Sequence, residues 1–328
     1  MVGAPPSRTV GLLAAAVLLS TAGCSTPRDR QAVPSSSATP SSVASSPSAQ
    51  ATPAPSSSAP APAVFDPRGA LETVDVLAGG IGPREATSSA YRRAAAYVEQ
   101  HLRDLGYHVQ RQAVGVPAGV SWGVAVPAGE SFNVIATSPG TDLSQPHVVV
   151  GAHLDTVPQA PGAEDNASGV AVLLELARLA AIKEAAQPVV LVAFAAEEPR
   201  GPGDDRHHYG SRRYVSALPD AHRRALRAML SLDRVGVGAR VPVCTGGRAG
   251  RTLQRAVLAA AARIEIPTRS CVNRSSDHWS FEKAGLPAIR LGSTPYAEYH
   301  SARDRPGVVR AAQLDRVGTL AWEWLSAA

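Results

Sequence analysis

The stretch Val148–Gly169, VVVGAHLDTVPQAPGAEDNASG, decides the fold. Its β-branched run, Val148 to Val150, has the composition of a strand buried on both faces. Where that run stops, His153 and Asp155 appear in quick succession. A turn-rich loop holding Pro158, Pro161 and Gly162 then delivers Asp165. Asn166 or Ser168 can cap the apolar helix predicted from about Val170 to Ala180. An imidazole and a carboxylate on the loop after a strand are the N and O donors that a zinc ion takes. Asp155, so close to His153, reads as the outer carboxylate that fixes the imidazole's tautomer. The alternative is an ordinary polar loop between a strand and a helix.

Outward from this stretch, apolar runs alternate with amphipathic ones. Strands are predicted at Phe132–Thr137, His147–Val150, Pro188–Ala195, Ala228–Leu232 and Ala288–Leu291. Helices are predicted at Thr87–Leu105, Tyr209–Ala217, Arg251–Arg263, His278–Ala284 and Ala311–Leu325, besides the one after Asp165. The first of these places Tyr91, Ala94, Ala95, Val98, Leu102 and Leu105 on one face, with Gly106 closing it. The pattern implies an α/β fold: a mostly parallel mixed central sheet with helices on both faces. Residues 65–328 form the expected domain, about 260 residues with no internal repeat, a plausible size for one core.

The first fifth of the chain reads differently. A lone Arg8 precedes the apolar run Val10–Leu19, too short to span a bilayer, and small residues lead to Cys24. Residues 1–24 are therefore read as an export signal whose end is similar to a bacterial lipobox, with Cys24 as the acylated residue. Thr21 departs from the Leu usual in that box, and a plain cleaved signal is the alternative. Residues 25–64, almost wholly Ser, Ala, Pro and Thr, are expected to be a disordered tether or a glycosylated stalk. The expected location is outside the cytoplasm, with membrane contact only through the lipid.

The net charge of +5 comes mostly from scattered arginines that do not cluster with aromatics, which argues against a nucleic-acid partner. Of three cysteines, Cys244 and Cys271 remain once Cys24 is assigned to lipid. In an oxidising compartment they are a candidate disulfide, and two buried free thiols are the alternative.

The chemistry gathers at strand ends. The run PVVLVAFA leads into Glu197 and Glu198, and the strand ending at Leu232 leads into Asp233. Ligands of open α/β sheets sit beyond the carboxyl ends of the strands. Acids converging there repel one another unless a cation joins them. His300 lies on the loop before the last helix, with Asp304 four residues on. Two histidines and three acids, with one glutamate spare, suit two zinc ions sharing a carboxylate.

The order His-x-Asp, Gly-Ala-x-Asp-Asn-x-Ser-Gly, Glu-Glu, Asp, then Tyr-His with a trailing Asp resembles metallopeptidase family 28. The group in question is the secreted di-zinc aminopeptidases of bacterial leucyl type. Gly82–Arg84, Ser276–His278 and Gly285–Ala288 extend the resemblance across the whole domain. It implies that His153 and Asp233 hold one zinc, that Glu198 and His300 hold the other, and that Asp165 bridges them. It also implies Glu197 as the general base and Asp155 and Asp304 as outer supports. The implied reaction is hydrolysis of a peptide, with water activated between the cations and the free α-amine held at one of them.

Some features depart from that pattern. Residues 199–209, PRGPGDDRHHY, lengthen the segment before Gly210-Ser211; His207 and His208 there are read as part of a solvated loop lining a pocket, rather than an extra metal site. Asp277 and His278 are read as structural, and Tyr296 and Tyr299 are candidates to assist an oxyanion. Trp122, Trp279 and the 200–209 and 245–250 loops are expected to shape the pocket for the substrate side chain. The expected partners are peptides, and the oligomeric state is not legible. Cobalt or manganese can occupy such donor sets in vitro. A carboxypeptidase, or a glutaminyl cyclase holding a single zinc, shares most of the ligand set. A non-catalytic binding lipoprotein would have lost a ligand or the base, and none is lost here.

Overall fold

The predicted apolar strands form the middle of a sheet. The computed structural model describes residues 64–327, so the expected signal, Cys24 and nearly all of the tether lie outside it. The strands are β1 (His108–Val116), β2 (Gly119–Ser121), β3 (Val124–Val126), β4 (Gly129–Thr137), β5 (His147–His153), β6 (Val189–Phe194), β7 (Leu226–Leu232), β8 (Val241–Thr245), β9 (Thr268–Val272) and β10 (Ala288–Leu291). Eight of them make one sheet in the order β1-β4-β6-β5-β7-β10-β8-β9, and β2 and β3 make a separate hairpin. The central four, β6, β5, β7 and β10, are mutually parallel. Antiparallel β1 and β4 extend one side; β8, antiparallel to β10, and β9, parallel to β8, extend the other. The sheet is mixed, as expected, with its parallel part in the centre.

The helices are α1 (Pro67–Val74), α2 (Ser89–Asp104), α3 (Ser168–Ile182), α4 (Tyr209–Ala217), α5 (Asp220–Ala225), α6 (Arg251–Arg263), α7 (His278–Lys283) and α8 (Ala311–Ala327). On one face α1, α3, α6 and α8 pack together; α4 and α7 pack on the other. Successive strand residues point to opposite faces, which explains the unbroken apolar runs. Val148, Val150 and Ala152 enter the larger core, whereas Val149 faces a smaller one with Val192, Phe194, Tyr214 and Phe281. Gly151 faces Phe194, whose ring occupies the space a Cβ would need.

Helix α2 begins two residues later than expected, because Ser88 caps it by accepting from Tyr91 N at 3.0 Å. Gly106, at φ 86°, closes it, and Tyr107 N donates to Leu102 O at 3.1 Å. Helices α1 and α5 and strands β1, β2, β3, β8 and β9 are additions to the predicted set. Most β1 side chains are at least partly exposed, and β8 carries Pro242, so neither shows the signal of a central strand. Cys244 and Cys271 are cross-strand partners on β8 and β9, and a disulfide joins them. No described helix is long and apolar enough to cross a membrane.

Candidate metal centre

Most of the expected donors reach the centre by one route: a parallel strand ends, and the chain leaves the sheet at its carboxyl edge. His153 ends β5, Asp233 directly follows β7, Glu197 and Glu198 follow β6, and His300 lies in the loop after β10. Asp165 comes from the loop between β5 and α3, where Asp304 accepts the backbone N–H groups of Glu164 and Asp165 at 2.9 and 3.1 Å. Asn166 Oδ1 accepts from Gly169 N at 3.1 Å, serving the start of α3, while Ser168 Oγ bonds back to Glu164 O.

The donors fall into two groups that share one residue. His153, Asp165 and Asp233 offer ligand atoms within 4.8 Å of one another, as do Asp165, Glu198 and His300, and all are buried. His153 Nε2 lies 3.2 Å from Asp165 Oδ1 and 3.7 Å from Asp233 Oδ1. His300 Nε2 lies 3.1 Å from Asp165 Oδ2 and 3.5 Å from Glu198 Oε1. The two oxygens of Asp165 thus face the two groups separately. Glu197, beside Glu198 in sequence, belongs to neither group.

The electrostatics fit a cation. Burial opposes charge on both histidines, yet the surrounding carboxylates push His153 well above the ordinary value and His300 up to about 10. Burial pushes Glu198 up to about 7, His300 pulling against it, and Glu197 up to about 8, with His153 pulling down and the nearby aspartates pushing up. Glu198 Oε1 and His300 Nδ1 are buried without a hydrogen bond, whereas Asp233 Oδ1 is ion-paired with buried Arg290. A centre that draws protons onto two imidazoles and leaves a ligand-side carboxylate oxygen without a hydrogen bond is chemically suited to a divalent ion. Imidazole and carboxylate together suit zinc.

The supports differ in detail from the expectation. His153 Nδ1 meets the Asp155 carbonyl at 3.2 Å, whereas the Asp155 carboxylate is 3.8 Å away. That carboxylate accepts the N–H groups of Glu197 and Glu198 at 3.0 and 3.2 Å, so it fixes the glutamate pair. Tyr296 Oη donates to Asp304 at 2.9 Å, which commits its hydroxyl elsewhere than an oxyanion. Tyr299 stacks on His300 with ring centroids 3.6 Å apart. Trp122, at the β2–β3 turn and 53% exposed, approaches the rings of both His300, at 4.3 Å, and Tyr299, at 5.7 Å.

The solvated-loop expectation for residues 199–209 fails at His208. That residue is buried, and its Nε2 lies 3.2 Å from Glu197 Oε1. The loop is pinned because Arg200 is buried in an ion pair with Glu85 and donates to Pro127 O at 3.1 Å. The pocket-lining part of the expectation holds: His207 and His208 line a cavity of about 360 Å³ with Asp204, Arg274, Ser275 and Trp279. Asp277 and His278 are buried beside the centre and join neither donor group.

Three arginines escaped the sequence reading as site residues. Fully buried Arg84 donates to the carbonyls of Leu77, Gly82, Leu154, Pro161 and Gly162, at 2.6 to 3.1 Å, and so fastens the loop that delivers Asp165. Arg290, also fully buried, has Nη2 2.9 Å from Asp233 Oδ1. Arg234 has Nε 3.9 Å from the same oxygen and lies over the Tyr299 ring at 4.5 Å. A charged residue inside the apolar run AIRL was the one available signal for Arg290.

Acids and imidazoles gathered at the carboxyl edge of a parallel sheet define a hydrolase-type metal centre. A model of peptidase family M28 matches residues 133–325, and the chain belongs to that family. It is 29% identical over 202 residues to aminopeptidase YwaD of Bacillus subtilis, covering 58% of this chain and 43% of that one. The chain thus spans about half the length of the curated relatives it matches. Among solved structures, a zinc aminopeptidase from Bacillus subtilis aligns with a TM-score of 0.70 and 18% identity, covering 80% of this chain and 95% of that one. A glutaminyl cyclase from Porphyromonas gingivalis aligns with a TM-score of 0.69 and 25% identity, covering 80% and 98%.

Proposed function

We propose that this chain is an exported zinc exopeptidase that removes N-terminal residues from peptides. The observation that carries this reading is Asp165, whose two oxygens face His153 and His300 from opposite donor groups, with Glu197 alongside but outside both. His153, Asp165 and Asp233 would hold one zinc, and Asp165, Glu198 and His300 the other. Bound zinc would supply Lewis acidity, polarising the scissile carbonyl and lowering the pKa of water. Glu197, whose backbone is fixed by Asp155, takes the proton from the attacking water and returns it to the leaving amine. Burial raises its proton affinity, and bound cations would pull it back toward the range where a general base works. Export, and acylation at Cys24 as the anchor, rest on the first 24 residues of the sequence.

The test is hydrolysis of aminoacyl-p-nitroanilides and N-blocked peptides, with and without a chelator, beside Glu197→Gln. Chelator-sensitive cleavage of free-amine substrates only, lost in Glu197→Gln while zinc is retained, is the expected result. Cleavage of N-blocked peptides from their C-termini would instead identify a carboxypeptidase. A second reading, cyclisation of N-terminal Gln at a single zinc, draws support from the glutaminyl cyclase likeness. It predicts ammonia release from Gln-peptides without peptide-bond cleavage.

A further inference from the structure

The cavity of about 360 Å³ adjoins the metal centre along two of its walls. One wall holds His208, whose Nε2 lies 3.2 Å from Oε1 of the proposed base Glu197. The other holds Ser275, whose carbonyl accepts from Arg290 Nη1 at 2.8 Å, and Arg290 in turn pairs with Asp233 at 2.9 Å. The charges of the lining do not cancel. Asp204 is fully engaged: its two oxygens accept from Trp279 Nε1 and Lys283 Nζ, both at 2.9 Å. His207 and His208 are neutral near pH 7, because burial lowers the pKa of each. Arg274 remains. Its Nε donates to Gly246 O at 2.9 Å and its guanidinium lies over the Trp279 ring at 4.9 Å, which sets its position at the cavity. Among the described residues no carboxylate pairs with it, and its Nη groups make no hydrogen bond. Arg248 adds a second cation over the same ring at 5.5 Å. The lining is not a further metal site either, since the donor groups found among the described residues include none of Asp204, His207 and His208.

We propose that this cavity is a subsite for a carboxylate of the peptide substrate, and that Arg274 is the residue that binds it. The carboxylate is that of an acidic side chain or of the C-terminus, which present the same planar pair of oxygens. A guanidinium with free Nη donors matches that pair with two parallel N–H groups. The buried indole of Trp279 gives the attached methylenes apolar surface. The volume suits one amino-acid side chain with water beside it. No unengaged acid in the lining opposes a second negative charge. The inference rests on the peptidase reading above and adds the substrate class which that reading leaves open.

The experiment is calorimetric titration of zinc-loaded Glu197→Gln, which lacks the proposed base and so separates binding from cleavage, alone and combined with Arg274→Glu. Two matched pairs of peptides are the probes. Glutamyl-leucinamide against glutaminyl-leucinamide reads the side chain, and leucyl-glycine against leucyl-glycinamide reads the C-terminus. The expected result is that the carboxylate member of one pair binds more tightly by about tenfold or more, and that Arg274→Glu erases or reverses the preference. The pair that responds identifies the source of the carboxylate. Equal affinities within both pairs would overturn the inference. So would a preference that survives Arg274→Glu, because it would then belong to the zinc ions. Should Arg274→Glu fail to fold by circular dichroism, Arg274→Gln, neutral and still polar, is measured in its place. Failure of all four peptides to bind would sink the peptidase reading together with the subsite, a result distinct from equal binding.

Discussion

His208 Nε2 lies 3.2 Å from Glu197 Oε1, and both groups are buried. Burial drives His208 down to about 4, so the ring is neutral at physiological pH. A neutral ring that donates from Nε2 steadies the carboxylate without neutralising it. His208→Ala should lower kcat/KM by about 10- to 100-fold while zinc content stays the same. His208→Gln, which keeps a donor, should recover part of the loss. Wild-type kinetics in His208→Ala would mean that the contact is incidental.

Metal removal should register in stability as well as activity. A chelator leaves Glu198 Oε1 buried with no hydrogen bond and crowds Asp165, Glu197, Glu198 and Asp233 into one cleft. Saturating zinc should stabilise the fold by about 3 kcal/mol, a Tm shift on the order of 10 °C. Thermal melts with chelator and with excess zinc measure it. Glu197→Gln, which keeps every proposed ligand, should show the same shift.

The disulfide joins β8 to β9, with Cys244 opposite Arg290 on β10, and neither cysteine is a proposed ligand. It closes a loop with a sequence separation of 27. Cross-linking a loop of that length stabilises a fold by about 3.5 kcal/mol through the unfolded chain. Cys244→Ala with Cys271→Ala should lower stability by about that amount in urea and leave zinc content unchanged.

His278 sets a pH dependence with a definite sign. Its Nε2 meets Asn273 O at 2.8 Å, and burial holds its pKa down at about 4. The unfolded chain takes up a proton below pH 6.5 or so, whereas the folded one does not until about pH 4. This residue's contribution is therefore complete above pH 6.5, is lost as pH falls toward 4, and levels off below. Between pH 7.5 and 5 the loss is about 2 kcal/mol. Urea unfolding at those two pH values, compared with His278→Gln, isolates it. The same pH slope in both proteins would refute the assignment.

The legible part of this molecule was its parallel centre. Strands buried on both faces carry unbroken apolar runs, and their ends mark His153, Glu197, Glu198 and Asp233. Edge strands were harder. Strand β1, HVQRQAVGV, has no regular alternation and is mostly exposed, and Pro242 hides β8. His208 was misread because a run of Gly, Asp, Arg and His looks solvated in sequence. Only the tertiary contacts of Arg200 and Glu197 show that the chain turns inward there. The arginines beside the centre were invisible for a similar reason. Their partners are mostly carbonyl oxygens, which every residue possesses and no sequence pattern marks.

The hydrogen bonds of Arg84 redefine the unit that an engineer would clone. The family-matched segment begins at residue 133, so Arg84 lies outside it. A fragment trimmed to residues 133–325 would carry every proposed ligand yet lack the brace beneath the Asp165 loop. The carbonyls of Leu154, Pro161 and Gly162 would lose their donor at once. Lysine cannot take over, because a single ammonium does not span the fan of acceptors that a planar guanidinium reaches. A fragment meant to keep the Asp165 loop braced therefore has to begin before Arg84, well upstream of the matched segment.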